Sequence, residues 1–159
     1  MDTMKQYVRA PQYTIIAIET DRGEVFGCFT SQPWRTYPGY FGGAPAFVWR
    51  MKHSRRSKCF NLFDQAQLES EIEVYPFLGD SQYVQVCKHD LLAVGGDEAM
   101  GSMDFLGDSP SISSELAMSG FAIALEDDLL KGTTSPGTTF NNPSLCGPGD
   151  RTEVFYVSG

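Results

Sequence analysis

Two short apolar runs facing each other across four turn residues constrain the fold of this chain more than any other feature. Tyr13 to Glu19 (YTIIAIE) and Glu24 to Thr30 (EVFGCFT) flank Thr20-Asp21-Arg22-Gly23. Runs of this length, rich in β-branched and aromatic residues and closed by a glycine-bearing turn, pair as a β-hairpin. The first run is apolar almost throughout, which predicts a strand covered on both faces. In the second, Val25 and Phe29 fall on one face and Phe26 and Cys28 on the other. Gly27 removes a side chain from mid-strand and so predicts a close neighbour there.

The same pattern recurs along the chain. Phe47 to Met51, Ile72 to Phe77, Gln82 to Lys88, Leu91 to Val94, Gly120 to Leu125 and Thr152 to Val157 are further strand candidates. In Gly120 to Leu125, Phe121 and Ile123 are expected on one face, and Ala122 and Ala124 on the other. Asn61 to Ser70 fits a short helix with Leu62, Phe63 and Ala66 sharing a face. Residues 32–45 read as an ordered loop, because Trp34, Tyr37, Tyr40 and Phe41 can bury large areas. Short strands at this spacing predict a mixed α/β chain dominated by β, a sandwich of two antiparallel sheets with few short helices. With 159 residues and 42% apolar content, one domain with a real core is expected. Residues 1–12 read as an N-terminal extension and 13–159 as the domain, with insertions near 52–71, where the basic and exposed Lys52 to Lys58 lies, and near 97–119.

The formal charge of −8 speaks against a nucleic-acid binder, which needs a clustered basic surface. The charge is uneven. Residues 1–59 carry nine Lys or Arg against four acids, residues 60–131 two against fourteen, and the rest one against two. That asymmetry suits an electrostatically steered protein partner. No apolar run approaches the roughly 20 residues that span a bilayer, and nothing reads as a lipid anchor, so no membrane insertion is expected. Without a secretory apolar region, an intracellular and most simply cytoplasmic setting is expected.

The four cysteines, Cys28, Cys59, Cys87 and Cys146, follow no zinc-ligand spacing. Cys28 and Cys87 sit in strand-like runs as small buried hydrophobes. Cys59 follows Arg55, Arg56 and Lys58, and nearby positive charge favours a thiolate, which makes it the candidate reactive thiol. His53 and His89 stand in no nucleophile pattern. Glu126, Asp127 and Asp128 are too few oxygen ligands for a cation site of known spacing. No catalytic residue, metal or cofactor is therefore expected. A thiol-dependent antioxidant enzyme using Cys59, and a β-sandwich binding a small ligand through the Trp34 to Phe41 loop, are the alternatives.

The segment from Gly120 to Leu145 carries the most specified loop geometry. Its apolar run stops at Glu126-Asp127-Asp128, Leu129 and Leu130 are expected to turn back inward, and turn residues follow. Ser135-Pro136-Gly137 and Asn141-Asn142-Pro143 preset two bends, with Phe140 as the anchor between them. Glu126 to Leu145 is expected to stand outward as a docking surface, with Glu126, Asp127, Asp128 and Lys131 as the partner-binding candidates.

In order, Gly120-Phe121, Asp128-Leu129, Gly132, Ser135-Pro136, Thr139-Phe140, Asn142 and Pro143-Ser144-Leu145 resemble the C-terminal signature of the TLDc domain family. Upstream, Asp21 to Phe29 with Gly23 and Gly27, then Ser31, Pro33 and Trp34, Tyr40-Phe41-Gly42-Gly43, and Gly95-Gly96 fit the same family in the same order. The resemblance covers residues 13–159 and implies a TLDc-like sandwich. It also implies a link to resistance against oxidative damage, no established active site, and a protein partner, the peripheral sector of the vacuolar proton-pumping ATPase. The family has helices before the position of Tyr13, and after that of Gly159 a closing strand with a glutamate, a hydrophobic residue and an aromatic. On that pattern the domain is expected to be incomplete at both ends.

Overall fold

A computed structural model describes residues 2–96 and 120–159. Helix α1 (Asp2–Val8) precedes strands β1 (Thr14–Glu19), β2 (Val25–Thr30) and β3 (Phe47–Met51). Helix α2 (Leu62–Ser70) and strand β4 (Ile72–Pro76) follow, then β5 (Gln85–Cys87), β6 (Leu91–Val94), β7 (Ile123–Glu126), β8 (Lys131–Thr134) and β9 (Glu153–Tyr156). The strands form a four-stranded sheet in the order β1-β2-β3-β4 and a five-stranded sheet in the order β5-β6-β7-β8-β9, antiparallel throughout. Among the described strands every neighbour in a sheet is also the next in sequence, since antiparallel pairing needs no crossover, and short turns close the β1–β2, β5–β6 and β7–β8 hairpins. The expected insertion at 97–119 lies outside the described residues.

The two sheets enclose one apolar layer. Ile18, Phe26, Cys28 and Val48 of the first sheet meet Leu92, Val94, Ile123, Leu125 and Phe155 of the second, all buried. Phe26 and Phe155 touch edge to face across the gap, ring centres 5.0 Å apart. Burying each such large side chain stabilises the fold by roughly 1.5–3 kcal/mol. At one side a seam joins the sheets. Thr20 bridges Val157, the Asp21 amide donates to the Tyr156 carbonyl (2.9 Å) and the Ser158 amide to the Glu19 carbonyl (2.8 Å). This ties the edge strand β1 to the edge strand β9 and leaves fewer unpaired ladder groups.

Several expectations need correction. β1 is not covered on both faces: Ile18 is buried, but Ile15 is 67% exposed and Ala17 is exposed too. Phe121 and Ile123 do not share a face. The strand begins only at Ile123, and the bend before it sends Phe121 to the outer cluster and Ile123 to the main core. Lys131 to Thr134, read as turn chemistry, is strand β8. Residues 1–12 are more than an extension, since α1 packs Met4 and Val8 against the core, and the Trp34 amide donates to the Val8 carbonyl at 3.2 Å.

The segment from Lys52 to Lys58 is docked on the first hairpin. The Arg55 amide donates to the Gly23 carbonyl (2.7 Å) and the Ser54 hydroxyl to the Arg22 carbonyl (2.8 Å). Gly23 has φ +76°, a left-handed conformation that a side chain would resist. Asn61 then caps α2, its Oδ1 accepting from the Asp64 amide at 2.9 Å.

Candidate functional site

The acidic candidates lie at the tip of the β7–β8 hairpin. Glu126 ends β7 and Lys131 begins β8, with Lys131 Nζ 3.9 Å from Glu126 Oε1. The turn is tightly specified. The Leu129 amide donates to the Glu126 carbonyl (3.1 Å), Asp128 Oδ1 accepts from the Leu130 amide (2.8 Å), and Leu129 takes φ +62°. A leucine in that region costs of order 1 kcal/mol and persists only where its surroundings fix it. Here Leu129 packs against the main core. Leu130 does not turn inward as expected: it is 58% exposed, between the exposed Asp127 and Asp128 and the half-buried Lys131. The tip therefore offers an apolar side chain ringed by carboxylates.

The rest of the expected docking surface is not outward. From Gly132 to Leu145 most residues are buried, because β8 is an interior strand and the two bends are locked against it. Thr134 Oγ1 donates to the Ala122 carbonyl (2.6 Å) and accepts from the Leu145 amide (2.9 Å). Asn142 Nδ2 donates to the carbonyls of Ser135 (3.1 Å) and Pro143 (2.8 Å), and the Ser135 hydroxyl accepts from the Gly120 amide (3.0 Å). Buried loop backbone needs partners of this kind. Of the proline bends, Pro136 is exposed and Pro143 half-buried.

The signature glycines are sockets for aromatic rings. A Cβ on Gly95 would stand 2.8 Å from the Phe140 ring, and one on Gly132 would stand 2.5 Å from Phe155. Gly96 backs onto Tyr40, Gly27 onto Trp49 and the Ile16 carbonyl, and Gly42 onto the Gln85 side chain. Phe140 is buried, the anchor role expected of it. Trp34, Phe121, Gly23 and Gly120 likewise serve packing or turn geometry, Gly120 with φ +92°.

The chemical candidates are dispersed. Cys59 is half-buried and its thiol donates to the Ser57 carbonyl at 3.4 Å. The guanidinium of Arg55 turns to Glu19 (2.9 Å) and Glu69 (3.3 Å). Burial pushes the thiols of Cys28 and Cys146 up to about 12, Cys146 with help from the nearby carboxylates of Glu24 and Glu153. Burial raises the Cys87 thiol as well. Such thiols are inert at neutral pH. His53 Nε2 faces Glu71 Oε2 at 3.2 Å, while at His89 it is the main-chain carbonyl that meets Lys5 Nζ, 3.1 Å away. Among the described residues, no group of three or more His, Cys, Asp or Glu is placed to hold a metal ion. In the aromatic loop Trp34 and Phe41 are buried edge to face, 6.2 Å apart, with Arg35 over Tyr37 and Phe41, so the rings fill the interior. A cavity of about 280 Å³ is lined by Leu78, Asp80, Ser81, Tyr83, Thr138 and Thr139. No helix among the described residues is long and apolar enough to cross a membrane.

A family model described as TLDc domain matches residues 1–157. Among curated proteins, the chain is similar to oxidation resistance protein 1 of Yarrowia lipolytica, 24% identical over 132 residues that cover 82% of this chain and 42% of that protein. The protein of the same name from Kluyveromyces lactis is 20% identical over 91% of this chain and 50% of its own length. That from Schizosaccharomyces pombe is 30% identical over 56% of this chain and 39% of its own. The chain thus spans half or less of the length of these relatives.

Proposed function

The chain belongs to the TLDc domain family, and from that membership we propose that it acts in resistance to oxidative damage as a non-catalytic interaction module that binds and regulates the vacuolar proton-pumping ATPase. The names of the similar proteins support the link to oxidation resistance. The observation that carries the interaction reading is the β7–β8 tip. Asp127, Asp128 and Leu130 project from a turn that is fixed by its own hydrogen bonds and set on an interior hairpin of the five-stranded sheet. A pre-ordered apolar anchor ringed by charge is what a steered protein contact needs: the acids govern the rate and direction of approach, and the leucine supplies buried area.

The test is direct binding of the purified chain to the isolated ATP-hydrolysing sector of the proton pump. The wild-type chain is expected to bind, more weakly as salt rises. The variant Asp127→Lys is expected to lose most of the binding with an unchanged melting temperature, because Asp127 is exposed and, unlike Asp128, takes no part in the hydrogen bonds that fix the turn. A well-folded chain that does not bind the sector, or a charge-reversed variant that binds as well as the parent, would overturn the reading.

A further inference from the structure

Helix α2 is amphipathic with its faces inverted. Leu62, Phe63 and Ala66 share a side, as their spacing predicts, yet that side is exposed, with Leu62 at 84% and Phe63 at 77%. The side turned toward the domain carries Asp64, Gln65, Leu68 and Glu69. One contact ties it to the rest of the chain: Arg55 Nε donates to Glu69 Oε1 (3.3 Å), the oxygen that also accepts from Gln65 Nε2 within the helix (3.0 Å). Just before the helix, Phe60 is 100% exposed. Leaving three large apolar side chains in water forgoes roughly 1.5–3 kcal/mol apiece, and their grouping in one patch, unlike apolar residues exposed singly, marks an interaction surface.

The charge around this face points to what covers it. From Lys52 to Ser70 the exposed residues include Lys52, Arg55, Arg56 and Lys58 and no carboxylate, although the chain carries −8 overall. Both acids of the segment, Asp64 and Glu69, lie on the inward side. Neither Arg56 nor Lys58 forms an ion pair among the described residues, and Lys58 stands two residues from Phe60, so their Cα atoms are within about 7.6 Å. Arg55 is matched by Glu19 and Glu69, which leaves Arg56 and Lys58 as the uncompensated cations beside the apolar face, and at physiological salt charges are screened beyond about 8 Å.

We propose that α2 and the loop before it form a peripheral membrane-binding element that lies flat on bilayers rich in anionic phospholipid, with Phe60, Leu62 and Phe63 among the outer acyl segments and Arg56 and Lys58 at the headgroups. Apolar side chains on one helical face with cations beside them suit that interface, and neither part has to cross it. The same cations could attract an acidic protein segment. Such a partner would have to supply shaped sockets for three fully projecting side chains, whereas a lipid interface takes them without a template.

The test uses the whole chain with vesicles of phosphatidylcholine alone or mixed with phosphatidylserine. Sedimentation is expected to show binding to the mixed vesicles only, weakening as salt rises. Arg56→Gln with Lys58→Gln is expected to weaken it on the order of 30-fold. Phe60→Ser with Phe63→Ser is expected to abolish it while the thermal melt stays unchanged. In a Phe60→Trp variant the added emission is expected to shift to the blue with the mixed vesicles. A normally melting chain that leaves those vesicles in the supernatant overturns the proposal, as does emission from the Phe60→Trp variant that does not move. Retention on polyglutamate that survives the two Phe→Ser changes would assign the patch to an acidic protein instead.

Discussion

The two sheets are built from equally apolar strands, yet one is buried on both faces and the other on one. In the five-stranded sheet β5 and β6 are buried along their whole length and β7 for three residues of four. On its outer face Val86, Leu91, Ala93, Ala124 and the neighbouring Phe121 are buried, with Tyr40 packed against them, its ring reaching Tyr83 at 4.9 Å and Phe121 at 6.5 Å. The outer face of the four-stranded sheet reads Ile15-Phe29-Phe47-Pro76 and Ala17-Gly27-Trp49-Val74 across the register. Ile15 and Val74 remain 67% and 53% exposed. Its rings stack along the surface instead, Tyr13 on Phe29 at 6.0 Å and Phe29 on Phe47 at 5.1 Å. Strand composition thus decides that a sheet forms, and a loop that crosses it decides whether its second face is dry.

Point changes can break or sharpen this contrast. Phe155→Ala, which empties the space beside Phe26 and above Gly132, is expected to destabilise the fold by about 3–5 kcal/mol in urea unfolding. Asn142→Leu is expected to cost about 1–3 kcal/mol by the same measurement, because the carbonyls of Ser135 and Pro143 lose their buried donor. Glu73→Gln, in the four-stranded sheet, acts through charge. The Arg50 guanidinium (2.7 Å) and then the Tyr75 hydroxyl (2.9 Å) hold the Glu73 carboxyl below its ordinary range. Its contribution is therefore full above the usual glutamate range and fades as pH falls through the lowered folded value. With the side chain a third exposed, Glu73→Gln is expected to cost about 1 kcal/mol at pH 7 and nothing at acid pH, where the two urea midpoints should converge. Val74→Thr, on the exposed face, is expected to stay within about 0.5 kcal/mol of the parent. A loss as large as that of Phe155→Ala there would mean that this face is covered in the folded chain.

Much of the sheet framework is legible in the sequence, since period-2 apolar runs and the turns between them locate every described strand but β8. That strand escapes because Lys131-Gly132 looks like a turn, whereas Gly132 is small because Phe155 lies across it. Periodicity also groups Leu62, Phe63 and Ala66 correctly but says nothing of which way their side faces, and the direction is set by Arg55 reaching Glu69 from outside the helix. In the same way, the carboxylates of the β7–β8 tip can be read from the residue types alone. The outward Leu130 cannot, because it depends on the left-handed conformation at Leu129.

The sequential strand order has a further consequence. Residues 14–76 build one sheet and 85–156 the other, so the described chain divides at the exposed Leu78-Gly79-Asp80 into two continuous stretches, each holding a whole sheet with its inner face bare. Among the described residues, neither stretch has a second sheet of its own to lay against that face, only loop side chains and, in the first, helix α1. Made as separate polypeptides, they would have to find one another to fold, and their reassociation in solution would isolate the closing of the interior from the formation of hairpins.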